Sequence, residues 1–378
     1  MFSSFRVSSM NSKLLCILNL LLGPSTAVAQ SLNFSASQWL WITPVNQQSI
    51  QGAFRKDFSP PFGRSLIAAE IIIATANTDM NFFMNGQLLG PVSRPDLSDQ
   101  STASHFCVDT EPSLNVFAIN STMIDHFTTP GFIATILVTY DNLRTDILLS
   151  DPSWRASVTS PDGWPELSFD DTAWITASAA PVNVPATKLA SLPLSFDGSV
   201  WIWNRAVLGG PIPSGPCWFR STWTPTVANQ LPASVDIAVL AVDQYTLIVN
   251  GVILGGGSSN IVADHWVVHF TSPPPTIVFA AVAQNNVNGA AAGFIATAVI
   301  TMRPTGRANC TATLAVQTQE IGWKATSNAS LVTSAWFQMG FDDSAWPEAG
   351  DEASYGESFL RLPGTVNIAP ASPAVVIP

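Results

Sequence analysis

The chain has 378 residues, ample for two domains of ordinary size. Its 15 Lys and Arg face 26 Asp and Glu, a net charge of −11, and 11% of residues are charged against about 25% in an average soluble domain. An acidic, sparsely charged surface excludes nucleic acid and anionic membranes as partners, since both are held by basic patches.

The N-terminus reads as a secretory signal over residues 1–29. Lys13 gives a basic start, Leu14 to Leu22 an apolar run, and Ala27-Val28-Ala29 a small-residue cleavage pattern before Gln30. The run is roughly half the ~20 residues that span a bilayer, so no membrane insertion is expected. Export implies a secreted, extracellular protein. Loss of residues 1–29 removes Arg6 and Lys13 and no acid, which moves the net charge from −11 to −13. Four sequons, at Asn33, Asn120, Asn309 and Asn328, mark N-glycosylation sites that would solubilise so weakly charged a surface. Cys16 leaves with the signal, and of Cys107, Cys217 and Cys310 the expected pair is Cys217 with Cys310, because both fall in the second half.

Further along, short runs rich in Ile, Val and Ala signal strands at 65–74, 115–120 and 133–140, and again at 234–242, 276–283 and 295–302. Asn85-Gly86 and Asn250-Gly251 each separate two apolar runs, the strongest short hairpin signal, since both turn residues need positive φ. Pro and Gly punctuate the runs, and no segment sustains a 3.6-residue apolar period. The expectation is all-β.

The same signals occur twice in the same order. Trp39-Leu40-Trp41 returns as Trp201-Ile202-Trp203, Phe54-Arg55 as Phe219-Arg220, and His105-Phe106 as His265-Trp266. Gly131-Phe132-Ile133-Ala134-Thr135 is repeated letter for letter from Gly293 to Thr297. Phe169-Asp170-Asp171-Thr172-Ala173-Trp174 returns as Phe341-Asp342-Asp343-Ser344-Ala345-Trp346. Ordered matches of this kind indicate an internal duplication. The reading is two tandem β-sandwich units, residues 30–195 and 196–364, joined near the prolines of 180–198, with a C-terminal tail over 365–378.

This order of Trp-x-Trp, Phe-Arg, Asn-Gly hairpin, Gly-Phe-Ile-Ala and Phe-Asp-Asp-x-x-Trp resembles the galactose-binding-like jelly-roll domains. These serve as accessory modules of glycoside hydrolases such as rhamnosidases and β-galactosidases, and occur in secreted fungal proteins. The resemblance implies two tandem jelly-roll domains and a non-catalytic, lectin-like role with glycans or polysaccharides as partners. A structural or interaction protein of the cell surface or wall is the alternative, and a glycoside hydrolase-related enzyme a third. Hydrolases of the resembled families keep their acids in a separate barrel domain, for which this chain has no room.

Asp170-Asp171 and Asp342-Asp343 invite a glycosidase reading, but that chemistry needs two carboxyls facing each other across a sugar, roughly 5–9.5 Å apart. Adjacent residues of extended chain point to opposite faces. One Asp capping a turn, with Phe and Trp as anchors, fits better, so no catalytic residue is expected. His105 and His265 read as satisfied hydrogen-bonding groups. Asp79 and Asp243 read as bonding to backbone amides, with a structural calcium as the alternative and no other cofactor. Of the 13 Trp, those at matched positions read as core. The expected ligand-binding set is Trp164, Trp336, Trp218 and Trp266, with Trp164 and Trp336 the most exposed, in Gly/Pro/Ser-rich stretches.

Overall fold

Alternation decides the sheets. Along Thr78–Met84 every second side chain is buried, so one face packs inward while the other meets solvent or a covering loop. In the computed structural model the described residues are 32–42, 51–92, 102–125, 128–182, 190–191, 194–204, 212–227, 229–356 and 362–378. The expected signal segment and residues 183–189 and 192–193 of the expected join near 180–198 lie outside them. Among described residues no helix is long and apolar enough to cross a membrane.

The first half contributes β1 (Leu40–Trp41), β2 (Gln51–Phe58), β3 (Leu66–Ala76), β4 (Thr78–Met84), β5 (Gln87–Pro91) and β6 (Thr102–Asp109). It continues with β7 (Asn115–Met123), β8 (Gly131–Tyr140), β9 (Thr145–Leu149), β10 (Arg155–Ser157), β11 (Ile175–Thr176) and β12 (Ser178–Ala179). After β13 (Ala190–Ser191) come β14 (Val200–Trp203), β15 (Gly215–Trp223), β16 (Gln230–Val242), β17 (Gln244–Val249) and β18 (Val252–Gly257). Then follow β19 (Val262–Phe270), β20 (Ile277–Asn285), β21 (Gly293–Pro304), β22 (Ala312–Gln317), β23 (Lys324–Thr326) and β24 (Gly350–Ser354). The tail adds β25 (Asn367–Ala371) and β26 (Val375–Ile377). Helix α1 (Thr318–Ile321) is a single turn.

Each half is a sandwich. The front sheets run β11–β10–β2–β7–β4–β5 in the first half and β23–β15–β20–β17–β18 in the second. The back strands run β12–β1–β8–β3–β6 and continue through β22–β21–β16–β19–β25 as one sheet, with β14 beside β21 and β24 beside β14. Between the layers the same aromatic group recurs. Phe54 meets Phe132 at 4.8 Å and Trp41 at 5.4 Å, and Trp154 closes on Phe132 at 5.3 Å. Phe219 meets Phe294 at 4.7 Å and Trp203 at 5.6 Å, and Trp323 closes on Phe294 at 5.1 Å. Offset and edge-on rings of this kind add about 0.5–1.5 kcal/mol per pair beyond the area they bury.

Both hairpins have the expected turns. Asn85 and Gly86 stand at φ 51° and 84°, Asn250 and Gly251 at 46° and 82°. The asparagines also reach sideways: Val116 N donates to Asn85 Oδ1 and Val278 N to Asn250 Oδ1, each at 2.7 Å. Each hairpin then shifts register by a bulge, at Phe82/Phe83 and at Leu247/Ile248.

The disulfide corrects the sequence expectation. Cys310 bonds to Cys107, not to Cys217, across 203 residues of chain. Cys217 on β15 is wholly buried in the second core, and burial pushes its thiol up to about 12. Cys107 and Cys310 meet where the halves abut, beside the pairing of Thr313 on β22 with His105 on β6. Asp109 reinforces the join, accepting from Gly306 N at 3.0 Å and Ala308 N at 2.8 Å. Proximity along the chain misled because the sheet edges that touch, β6 and β22, come from different halves of the chain.

Candidate functional site

The Phe-Asp-Asp segments resolve into a brace over each front sheet, and the two carboxyls of each pair have separate structural duties. Asp170 Oδ1 accepts from Thr172 N at 3.0 Å and Asp342 Oδ1 from Ser344 N at 2.9 Å, the expected turn caps. The hydrogen bonds of Thr172 and Ser344 hold both carboxyls below the usual carboxylate range. Asp171 and Asp343 turn inward onto buried arginines. Arg55 Nε lies 3.2 Å from Asp171 and 2.9 Å from Asp57, and its Nη1 donates to the carbonyls of Trp164 and Glu166, both at 2.8 Å. Arg220 pairs with Asp343 and donates to the carbonyls of Trp336 at 3.0 Å and Gln338 at 3.2 Å. Both guanidiniums also stand over a ring, Phe169 at 5.7 Å and Phe341 at 5.6 Å. The Phe-Arg dipeptide thus works as a unit: Phe points into the sandwich and Arg, one residue on, points outward to tie down the brace.

This brace explains two departures from expectation. Trp164 and Trp336 are each only 6% exposed. They stack on Trp174 at 6.0 Å and Trp346 at 5.9 Å, lying flat on the outer face of the front sheet. The Gly/Pro/Ser-rich stretches fold back over that face instead of projecting from it. The histidines match expectation: His105 bonds Glu70 at 2.9 Å and His265 bonds Asp236 at 3.2 Å. Asp243 accepts from a backbone amide, that of Asn286, at 2.7 Å. Among described residues no group of three or more His, Cys, Asp or Glu could hold a metal ion.

Where the brace of the second half ends, the front sheet opens into a pocket of about 420 Å³. It is lined by Gln244, Tyr245 and Thr246 of β17, Gly256 and Gly257 of β18, Ser258, and Val282 and Gln284 of β20. The register explains the grouping. Gly256, Thr246, Val282 and Trp218 are successive partners across four strands and share one face. Three strand spacings put the Gly256 backbone roughly 14 Å from that of Trp218. Gln244 and Gln284 form the next pair along the same face. Trp218, partly buried, packs against the Trp336–Trp346 stack, so an aromatic wall adjoins a floor of amides and hydroxyls.

The far wall is possible because of Gly255-Gly256-Gly257. A Cβ at Gly256 would collide with the Tyr245 carbonyl, and one at Gly257 with the Asp264 carboxylate. Tyr245 donates to Asp264 at 2.7 Å and Trp266 Nε1 donates to Tyr245 at 3.2 Å, so Trp266 props the wall from behind. Burial holds the Tyr245 phenol well above its usual range, so it stays a neutral donor to Asp264. Of the four expected ligand tryptophans, Trp218 alone adjoins the pocket floor, Trp266 and Trp336 support it, and Trp164 lies in the other half's brace. Sequence reasoning missed Gln244, Thr246 and Gln284; the triple glycine after the hairpin was the available signal.

No family model matches this chain, and no curated protein matches it in sequence. Among solved structures it is similar to the lectin of Pleurotus ostreatus in complex with GalNAc, at 25% identity and TM-score 0.43, over 89% of this chain and 96% of that one. It is also similar to Streptomyces avermitilis α-L-rhamnosidase complexed with L-rhamnose, at 17% identity and TM-score 0.33, over 89% of this chain and 33% of that one. Aspergillus terreus α-L-rhamnosidase follows at 14% identity and TM-score 0.35, over 69% of this chain and 36% of that one. The chain thus matches about a third of the length of each rhamnosidase.

Proposed function

We propose that the protein is a secreted, non-catalytic glycan-binding protein made of two related β-sandwich units, and that its sugar site is the pocket between Trp218 and the Gly256–Gly257 wall. The observation that carries this is the juxtaposition of an indole, two glutamines and a threonine on one face of the front sheet, around a pocket whose lining carries no charged side chain. A neutral sugar offers a C–H face and a ring of hydroxyls. Indole takes the first by stacking, and the glutamine amides supply carbonyl acceptors and N–H donors for the second, although one N–H of Gln284 already donates to the Asn285 carbonyl at 3.2 Å. The paired carboxyls are spent on turn caps and buried arginines, which supports a role without hydrolysis. The Cys107–Cys310 bond suits an oxidising compartment and hence export.

Isothermal titration of the mature protein with N-acetylgalactosamine, galactose and rhamnose tests the reading. Saturable binding is expected, weakened roughly two- to tenfold by Gln244→Ala or Gln284→Ala, the worth of one hydrogen bond each. Trp218→Ala is expected to weaken it at least as much. A reducing-sugar assay on plant and fungal polysaccharides should show no release. Absence of saturable binding at millimolar sugar overturns the proposal in favour of a structural role at the cell surface.

A further inference from the structure

The row that forms the pocket floor in the second half has a counterpart in the first. There Pro91, Asn81, Asn120 and Ala53 are successive partners across β5, β4, β7 and β2. Asn120 stands where the second half has Val282, Ala53 where it has Trp218, and Pro91-Val92 where it has Gly256-Gly257. The indole and the glycine wall are both missing from that face. Asn120 opens the sequon Asn120-Ser121-Thr122. Along β7 the buried Ile119 and Ser121 alternate with a half-buried Asn120 and an exposed Thr122. The acceptor amide and the sequon hydroxyl therefore share the outward face, at the margin of the brace, where Val116 and Ala118 disappear beneath Trp164. Their neighbours Asn81 and Asp79 are exposed and short, which leaves room for a sugar on the amide.

We infer that Asn120 carries an N-linked glycan that rests on the front face of the first half, so that the protein has one sugar-binding groove per chain although its architecture is twofold. The single-groove part rests on the proposed site; the modification does not. A glycan on a central strand, not on a loop, shields a sheet face that has little side-chain bulk of its own.

The test uses the full chain secreted from a eukaryotic host. Enzymatic release of N-glycans in heavy-oxygen water, followed by peptide mapping, should recover Asn120 as labelled Asp. Asn120→Gln should lower the intact mass by one glycan, and Thr122→Ser, which preserves the sequon, should retain it. Unlabelled Asn120 in the secreted protein overturns the modification whatever the sugar-binding result. Titration of the glycosylated and the released protein should each give one sugar per chain with an unchanged affinity. Two sites per chain, before or after release, overturns the single groove.

Discussion

Across the front sheet of the first half one row reads Pro91, Asn81, Asn120, Ala53; across the second it reads Gly256, Thr246, Val282, Trp218. Beneath both rows the architecture is the same, with the same aromatic quartet, the same Asn-Gly turn and the same arginine brace. The difference teaches which residues a sandwich needs and which it leaves free. Positions that fill the core, and the arginine, inner aspartate and stacked tryptophans of the brace, are matched in chemistry, while those on the uncovered margin of the front sheet differ, polar and small in one half and aromatic, amide and glycine in the other.

The brace gives the largest expected effect. Arg55→Ala removes a buried cation and strands Asp57, Asp171 and two carbonyls, so it should cost about 3–5 kcal/mol of stability, and Arg220→Ala should cost less, because Asp343 keeps Lys324 at 2.8 Å. Lysine should not rescue either, because one ammonium cannot reproduce the guanidinium fork that reaches carbonyls and carboxylate together. Denaturant unfolding reads the loss. The comparison sharpens in binding: Arg220→Ala should also weaken sugar affinity, because the Trp336–Trp346 stack supports Trp218, whereas Arg55→Ala should leave affinity unchanged. Loss of affinity in the Arg55 variant alone would move the site to the first half.

The join between the halves comes next. The Cys107–Cys310 bond closes a loop of 203 residues, and removing a native disulfide from an exported domain costs about 2–5 kcal/mol. Cys107→Ser with Cys310→Ser should lower the unfolding midpoint accordingly, while Cys217→Ala should leave the bond intact. Two resolved unfolding transitions in the double variant would show that the disulfide is what couples the halves.

Much of this was legible in the sequence and some was not, for physical reasons. Asn85-Gly86 and Asn250-Gly251 announced their turns because positive φ at two successive residues admits few side chains. The Phe-Asp-Asp-x-x-Trp segments announced a capped turn, but the partner of the second Asp lay more than a hundred residues upstream in Arg55 and Arg220, whose burial no local pattern reveals. Trp164 and Trp336 looked exposed because Gly, Pro and Ser surround them, although such stretches can lie flat on a sheet as well as leave it. The disulfide required knowing which edges abut. The pocket required register, since Gln244, Thr246, Gln284 and Trp218 become neighbours only when β15, β20 and β17 are laid side by side.

The smallest expected effect is in acid, and it too divides the halves. Asp170 and Asp342 have folded pKa values below their ordinary ones, through bonds with Thr172 and Ser344. Their stabilisation is therefore complete above about pH 4 and fades as the pH falls through the lowered values. The first half carries an opposing group. Burial raises the Asp57 carboxyl against the pull of Arg55, so its ionised form weighs against folding and protonation in acid relieves that cost. At the equivalent place the second half has the uncharged Thr222, whose Oγ1 accepts from Arg220 Nη1 at 3.0 Å. The second half should thus be the more acid-sensitive of the two. Urea midpoints followed from about pH 6 to about pH 2.5 should flatten for Asp342→Asn and for Asp170→Asn, since asparagine keeps the turn cap but does not titrate, and should fall more steeply for Asp57→Asn, which removes the opposing group. An unchanged slope in Asp57→Asn would mean that Asp57 gives no compensation, and that the two braces differ in sequence at this position without differing in their response to protons.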